Sequence, residues 1–171
     1  MFCDAAIIWG YIKHDEYNGF TYAIQKIENE TSVIITGYIG SNTDITIPSE
    51  IEGYQVKTIC GKAFSNCNSL TNIILPDSVT TIGGFAFEYC SSLTSITLPD
   101  SVTTIGSSAF EYCSSLTSII IPNSVTTIGY SAFDGCSKLK TIYCEAESKP
   151  TDWDYGWKDY CSATVVWGYK N

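Results

Sequence analysis

Positive charge is scarce in this chain: nine lysines and arginines stand against eighteen aspartates and glutamates, a formal net charge of −9 at pH 7. That balance argues against nucleic acid, which proteins hold mainly by neutralising phosphates, and equally against anionic membrane surfaces. Charge of either sign is low at 16%, whereas hydrophobic residues reach 44%, a composition that builds a core and excludes disorder. Long apolar runs are missing too. Nothing approaches the roughly 20 residues of a membrane span, so no membrane insertion is expected. The opening MFCDAAIIWGYIKHDE has a short apolar stretch but no basic residue before it and no clear cleavage site, and is not read as a signal peptide.

Chemistry-bearing motifs are equally sparse. There is one histidine, His14, in a polar stretch with no nucleophile elbow nearby, which reads as a solvated residue rather than a base. No C-x-x-C occurs, which leaves zinc without a ligand set, and no phosphate-binding glycine motif is present. The eighteen acidic residues permit glycosidase-like pairs only as any acidic protein does. The expectation is a protein that is not an enzyme, with no cofactor and no metal.

What the chain has is repetition. Phe64, Phe87, Phe110 and Phe133 stand 23 residues apart, as do Cys67, Cys90, Cys113 and Cys136, and Leu70, Leu93, Leu116 and Leu139. Val56, Val79, Val102 and Val125 keep the step, as do Ile59, Ile82, Ile105 and Ile128. One unit, LTSITLPDSVTTIGSSAFEYCSS, runs from Leu93 to Ser115. Leu93, Ile96 and Leu98 fit a strand with apolar residues inward and Ser95 and Thr97 outward. Pro99 ends the ladder because it has no N–H. A second extended piece returns Val102 and Ile105 to the core, Gly106 permits the bend, and SSAFEYC is read as a short helical turn burying Ala109, Phe110 and Cys113. No rung has enough apolar surface to fold alone, so stacking supplies the core.

The pattern C-x-x-L-x-x-I-x-L-P-x-S-V-x-x-I-G-x-x-A-F resembles the BspA-like family of leucine-rich repeats, in near-complete repeats from Ile47 to Cys144. The resemblance implies a right-handed β/α superhelix of short strands and short helical turns, with an N-terminal β-cap and an aromatic C-terminal cap. It also implies an extracellular or cell-surface protein that binds host or neighbouring-cell partners. Two departures stand out. Cys60 replaces the glycine of Gly83, Gly106 and Gly129, and the first rung carries five extra residues between its prolines, Pro48 and Pro76.

The organisation expected is a strand segment at 1–16, a β-cap at 17–55, four repeats at 56–144 and a cap at 145–171. Within the β-cap, 20–47 supplies three alternating stretches. The ends echo each other: Phe2–Tyr11 aligns with Tyr160–Tyr169 at a constant offset of 158, placing Ile7, Ile8 and Trp9 opposite Val165, Val166 and Trp167. One reading is a unit cut from a tandem array, which domain duplication favours. The other is head-to-tail assembly with copies of itself through these strands, a heterologous contact that builds filaments when it does not close.

The Cys67/90/113/136 ladder lies within disulfide reach at about 5 Å between rungs, but the side chains point together into the core and read as buried free thiols. Cys3, Cys60, Cys144 and Cys161 lie outside the ladder. For Cys144 and Cys161, in the C-terminal lid, pairing is open. Glu88, Glu111 and Asp134 share one repeat position and Asp77 and Asp100 another. Like charges stacked about 5 Å apart repel by about 0.8 kcal/mol in water, so both columns are placed in solvent, as a solubilising face in preference to a calcium or cationic-partner stripe. Tyr89 and Tyr112 stack beside the first column. Trp153 and Trp157 are read as covering the core's open end, and Asn29–Thr31 is a weak glycosylation signal. The candidate binding face is the set of outward strand positions: Asn72, Ile74, Ser95, Thr97, Ser118, Ile120, Thr141 and Tyr143. It is small, uncharged and little diversified, which suits weak multivalent protein contacts or self-association.

Overall fold

The computed structural model, which describes residues 11–170, starts with β1 (Tyr11–Tyr17), β2 (Phe20–Ile27) and β3 (Glu30–Tyr38), three antiparallel strands rich in β-branched and aromatic residues. Asn18 and Gly19, both in the left-handed region (φ 49° and 85°), form the two-residue turn between β1 and β2. Residues of that conformation match the twist of the flanking strands. The chain then enters the solenoid through β4 (Asp44–Thr46), β5 (Glu50–Ile51) and β6 (Tyr54–Ile59). The five extra residues of the first rung become the β5–β6 hairpin, which turns on Glu52 and Gly53 (φ 53° and 79°). Strand β3 pairs in parallel with β6, and there the antiparallel meander hands over to parallel stacking.

The next three rungs give two short strands each, β7 (Asn72–Ile74) and β8 (Thr81–Ile82), β9 (Ser95–Thr97) and β10 (Thr104–Ile105), β11 (Ser118–Ile121) and β12 (Thr127–Ile128). β13 (Thr141–Cys144) and β14 (Thr164–Val166) are the outward strands of the two rungs that follow. The inner strands form one sheet in the order β1-β2-β3-β6-β8-β10-β12. The outward-facing strands form two three-stranded sheets, β4-β7-β9 and β11-β13-β14. Registers are in step, Ile73 beside Ile96 and Ile142 beside Val165.

The third side of each rung corrects the sequence reading. The segments around Phe64, Phe87, Phe110 and Phe133 are turns, and no helix occurs among the described residues. Lys62, Phe85, Ser108 and Ser131 have φ of 64°, 59°, 53° and 50°, and Asn66, Tyr89, Tyr112 and Gly135 have 64°, 58°, 56° and 66°. Two left-handed residues per turn interrupt any helix. The backbone donors go to the next rung instead: Phe85, Phe87 and Tyr89 N–H donate to Ser107, Ala109 and Glu111 carbonyls at 2.8–2.9 Å. The intervening Ala86, Glu88 and Cys90 N–H bond back within their own turn.

Inside, Phe64, Phe87, Phe110 and Phe133 stack nearly parallel at 5.2, 5.4 and 5.5 Å, all fully buried. The stack ends against differently oriented rings, Phe20 and Tyr38 below Phe64 and Trp157 edge-on to Phe133 at 5.9 Å, the arrangement that π quadrupoles favour. A Cβ on Gly106 would fall 2.4 Å from the Gly84 nitrogen, and one on Gly83 2.5 Å from the Gly61 nitrogen, so the glycine column is a steric requirement of the rung beneath. Below Cys60 lies the end of β3, where Ile35 accepts its N–H, and a side chain is tolerated.

Because Phe110 is sandwiched between two rings, Phe110→Ala removes stacking on both faces as well as apolar burial. We expect a loss of about 3–5 kcal/mol, read from denaturant unfolding; a midpoint unchanged from the parent chain would refute the stack as core.

Candidate binding face

The outward positions of the repeat strands come together on one side. Ile74, Ser95, Thr97 and Ser118 are exposed, whereas Asn72, Ile120, Thr141 and Tyr143 are half-buried. The inward partners Ile73, Ile96, Ile119 and Ile142 are buried, which fixes the alternation. Tyr143 is packed against Tyr169, ring centroids 4.7 Å apart, so half of the one aromatic anchor on the face is spent inside the molecule.

The face is not one continuous sheet. Thr94 N–H donates to Thr71 O and Lys140 N–H to Thr117 O, both at 3.1 Å, but among the described residues no such bond joins Thr117 to Thr94. Behind this gap the rungs stay joined through β10 and β12. A groove of about 370 Å³ opens on the face there, between β9 and β11. Its floor is Ile96, Leu98, Pro99, Ile119, Ile120 and Pro122, its polar walls are Ser95, Thr97 and Ser118, and its rim is Asp77, Asp100 and Glu145.

Serine, threonine and cysteine columns prove to be inter-rung ties. Ser78, Ser101 and Ser124 hydroxyls donate to the Val56, Val79 and Val102 carbonyls one rung below, at 2.6–2.8 Å. The Cys90, Cys113 and Cys136 thiols donate to Phe64, Phe87 and Phe110 carbonyls at 3.0–3.1 Å. Those three thiols are buried and free, as expected; Cys67, with no repeat turn beneath it, is half-buried. Burial pushes Cys90 and Cys136 up to about 12, and raises Cys113 further still. Cys144 and Cys161 are also free, so they do not pair, and burial raises Cys144 to about 12. Cys60 is disulfide-bonded, and Cys3 lies outside the described residues.

Comparison with known proteins follows this geometry. The BspA-type leucine-rich-repeat family model matches residues 37–152 in six copies. The chain belongs to that family. Its similar solved structures are bacterial leucine-rich-repeat proteins. The leucine-rich-repeat protein TpLRR of T. pallidum is 32% identical with a TM-score of 0.71, over 91% of this chain and 64% of that one. This chain therefore spans about two thirds of TpLRR's length. A leucine-rich-repeat protein of Bacteroides capillosus is 30% identical, TM-score 0.67, over 78% of this chain and 99% of that one. A leucine-rich cell-surface protein of Faecalibacterium prausnitzii, 24% identical with a TM-score of 0.62 over 91% and 55%, shares the fold. No curated protein matches.

In this BspA-type chain the repeat path runs on past Cys144. Trp157 follows the phenylalanine stack, Cys161 sits next to Cys136, and β14 pairs with β13 at the 23-residue step. Trp153 and Trp157 are buried, and Trp153 Nε1 donates to Val125 O at 3.1 Å, so neither is a surface contact. The columns Glu88, Glu111 and Asp134 are half-buried rather than fully in solvent, and Ser65 donates to Glu88 at 3.0 Å. Tyr89 and Tyr112 stack at 4.8 Å and remain exposed. Among the described residues no cluster of histidine, cysteine or carboxylates is placed to hold a metal, and no helix is long and apolar enough to cross a membrane.

Of the assembly strands, Ile7, Ile8 and Trp9 lie outside the described residues. Val166 is exposed, Val165 is half-buried, and Trp167 packs on Trp153 at 5.7 Å. Strand β14 is an edge, bonded to β13 alone among the described strands.

The raised thiols carry a sign. A folded-state value above the unfolded thiol's value of about 8.5 means the unfolded chain loses those protons first as pH rises. The thiol contribution is thus fully present below that pH and lost as pH climbs through about 12. We expect the thermal midpoint to fall between pH 8 and 10, and to fall less when Cys90, Cys113 and Cys136 are replaced by serine. A thiol reagent at pH 8 should reach Cys67 first and leave the buried ladder untouched until unfolding; uniform labelling of the native chain would refute the burial.

Proposed function

We propose that the chain is a non-catalytic protein-interaction and adhesion module of a cell-surface or secreted protein, binding host or neighbouring-cell proteins through the repeat sheet face. One observation carries the reading: the outward positions of the face, Ile74, Ser95, Thr97 and Ser118, are exposed and held in rigid register by the rungs behind them. Solenoids present extended surfaces of this kind to partners. Membership of the BspA-type family supports it, as does the shortage of catalytic constellations in the sequence.

The test is binding of the labelled chain to epithelial and to bacterial cells, before and after trypsin treatment of the cells. Binding should be lost on trypsin treatment and reduced to background by Ser95→Arg with Ser118→Arg, which block the face by size. Binding that survives both changes would overturn the reading.

A second reading is favoured by the bare edge of β14: a structural subunit assembling head to tail into filaments, with the Ile7–Trp9 segment of one copy meeting the Val165–Trp167 strand of another. An edge strand offers unpaired N–H and C=O groups to an incoming chain. Sedimentation of the chain at rising concentration should then show species larger than a monomer, which Val165→Pro abolishes by removing a donor from that edge. A monomer at every concentration would exclude assembly.

A further inference from the structure

We infer that the groove between β9 and β11 receives a lysine or arginine side chain of a partner protein. The inference rests on the face-binding reading and gives it a place and a chemistry. Two features of the groove converge. Its rim holds three carboxylates, Asp77, Asp100 and Glu145, and no basic residue lines it. Asp77 and Asp100 are exposed and make no hydrogen bond or ion pair with the described residues. Glu145 is held in place because one of its oxygens accepts the Asn123 N–H at 3.0 Å.

The floor is apolar, formed in part by Leu98, Ile120 and Pro122. Apolar floor and acidic rim together match a side chain that is itself divided, an aliphatic stem ending in a cation. An ammonium or guanidinium at the rim relieves the repulsion between carboxylates, while the stem covers the floor. Neutral side chains gain only the second contact and acidic ones are repelled.

The probe is an eight-residue peptide of alternating threonine and lysine, titrated calorimetrically into the intact chain at low salt, with the threonine–glutamate peptide as control. D77N/D100N/E145Q should weaken binding about tenfold, the sum of three exposed ion pairs. E88Q/E111Q/D134N removes the same three charges from the turn side and should change affinity less than about twofold. Equal weakening by the two variants, no binding by the parent chain, or equal binding of the glutamate peptide would each overturn the inference. The cell assay separates it from the face reading. If the charge-only variant keeps full cell binding while Ser95→Arg with Ser118→Arg loses it, the groove fails and the face stands; if neither variant loses it, the face fails as well.

Discussion

Each rung closes its backbone on its neighbour, and this one constraint governs the rest of the molecule. In the turn from Phe85 to Cys90, alternate N–H groups leave for the next rung while the others bond back within the turn. Left-handed residues at both Phe85 and Tyr89 make that possible, at a cost of about 1–2 kcal/mol each for side chains other than glycine. The hydrogen bonds formed, and the burial they permit, have to offset it. That is why the step holds at 23 from Phe64 to Phe133, where each turn donor meets a carbonyl at the same place in the next rung. The first rung keeps the stacking by folding its surplus out as the β5–β6 hairpin.

Register also decides which side chains repeat. In-line stacking sets identical residues beside each other, which suits phenylalanine rings, small hydroxyls and thiols and punishes charge. Serine and cysteine serve here because each is a short side chain with one proton to donate, and each reaches a carbonyl one rung below. The cysteine ladder, which on spacing alone invites thoughts of disulfides, is thus a hydrogen-bonding column. Repetition that marks a scaffold has to be subtracted before repetition can be read as a site.

Much of this was legible. The columns Phe64 to Phe133 and Val56 to Val125 fixed the stacking and the core, and the alternation of Ser95, Ile96 and Thr97 separated outward from inward side chains. The turns were not, because left-handed backbone at Lys62, Phe85, Tyr89 and Ser108 leaves no mark in residue type; Asn66 and Gly135 alone carry the usual signal. The hairpin on Asn18–Gly19 did have its signal, the strongest short-range one a sequence offers. The continuation of the repeat through Trp157 and Cys161 was masked because tryptophan replaces phenylalanine and the spacing to Cys161 stretches to 25 residues, while β14 returns to 23. The gap in the face was invisible, since Ser95 and Ser118 are the same residue whether or not their strands are bonded.

That gap bears on how a uniform repeat can have a preferred site at all. A perfect solenoid offers the same surface at every rung interface, so a partner gains nothing by choosing one and slides among equivalent registers. Specificity therefore has to come from where the symmetry fails. Here the aspartate column runs Asp77, Asp100 and then stops at Asn123, and the third carboxylate returns from a different position, Glu145, fastened to the Asn123 backbone. The missing bond between Thr94 and Thr117 falls at the same place. A broken ladder and a displaced charge coincide at one interface, so a partner seated there would not meet the same surface one rung away.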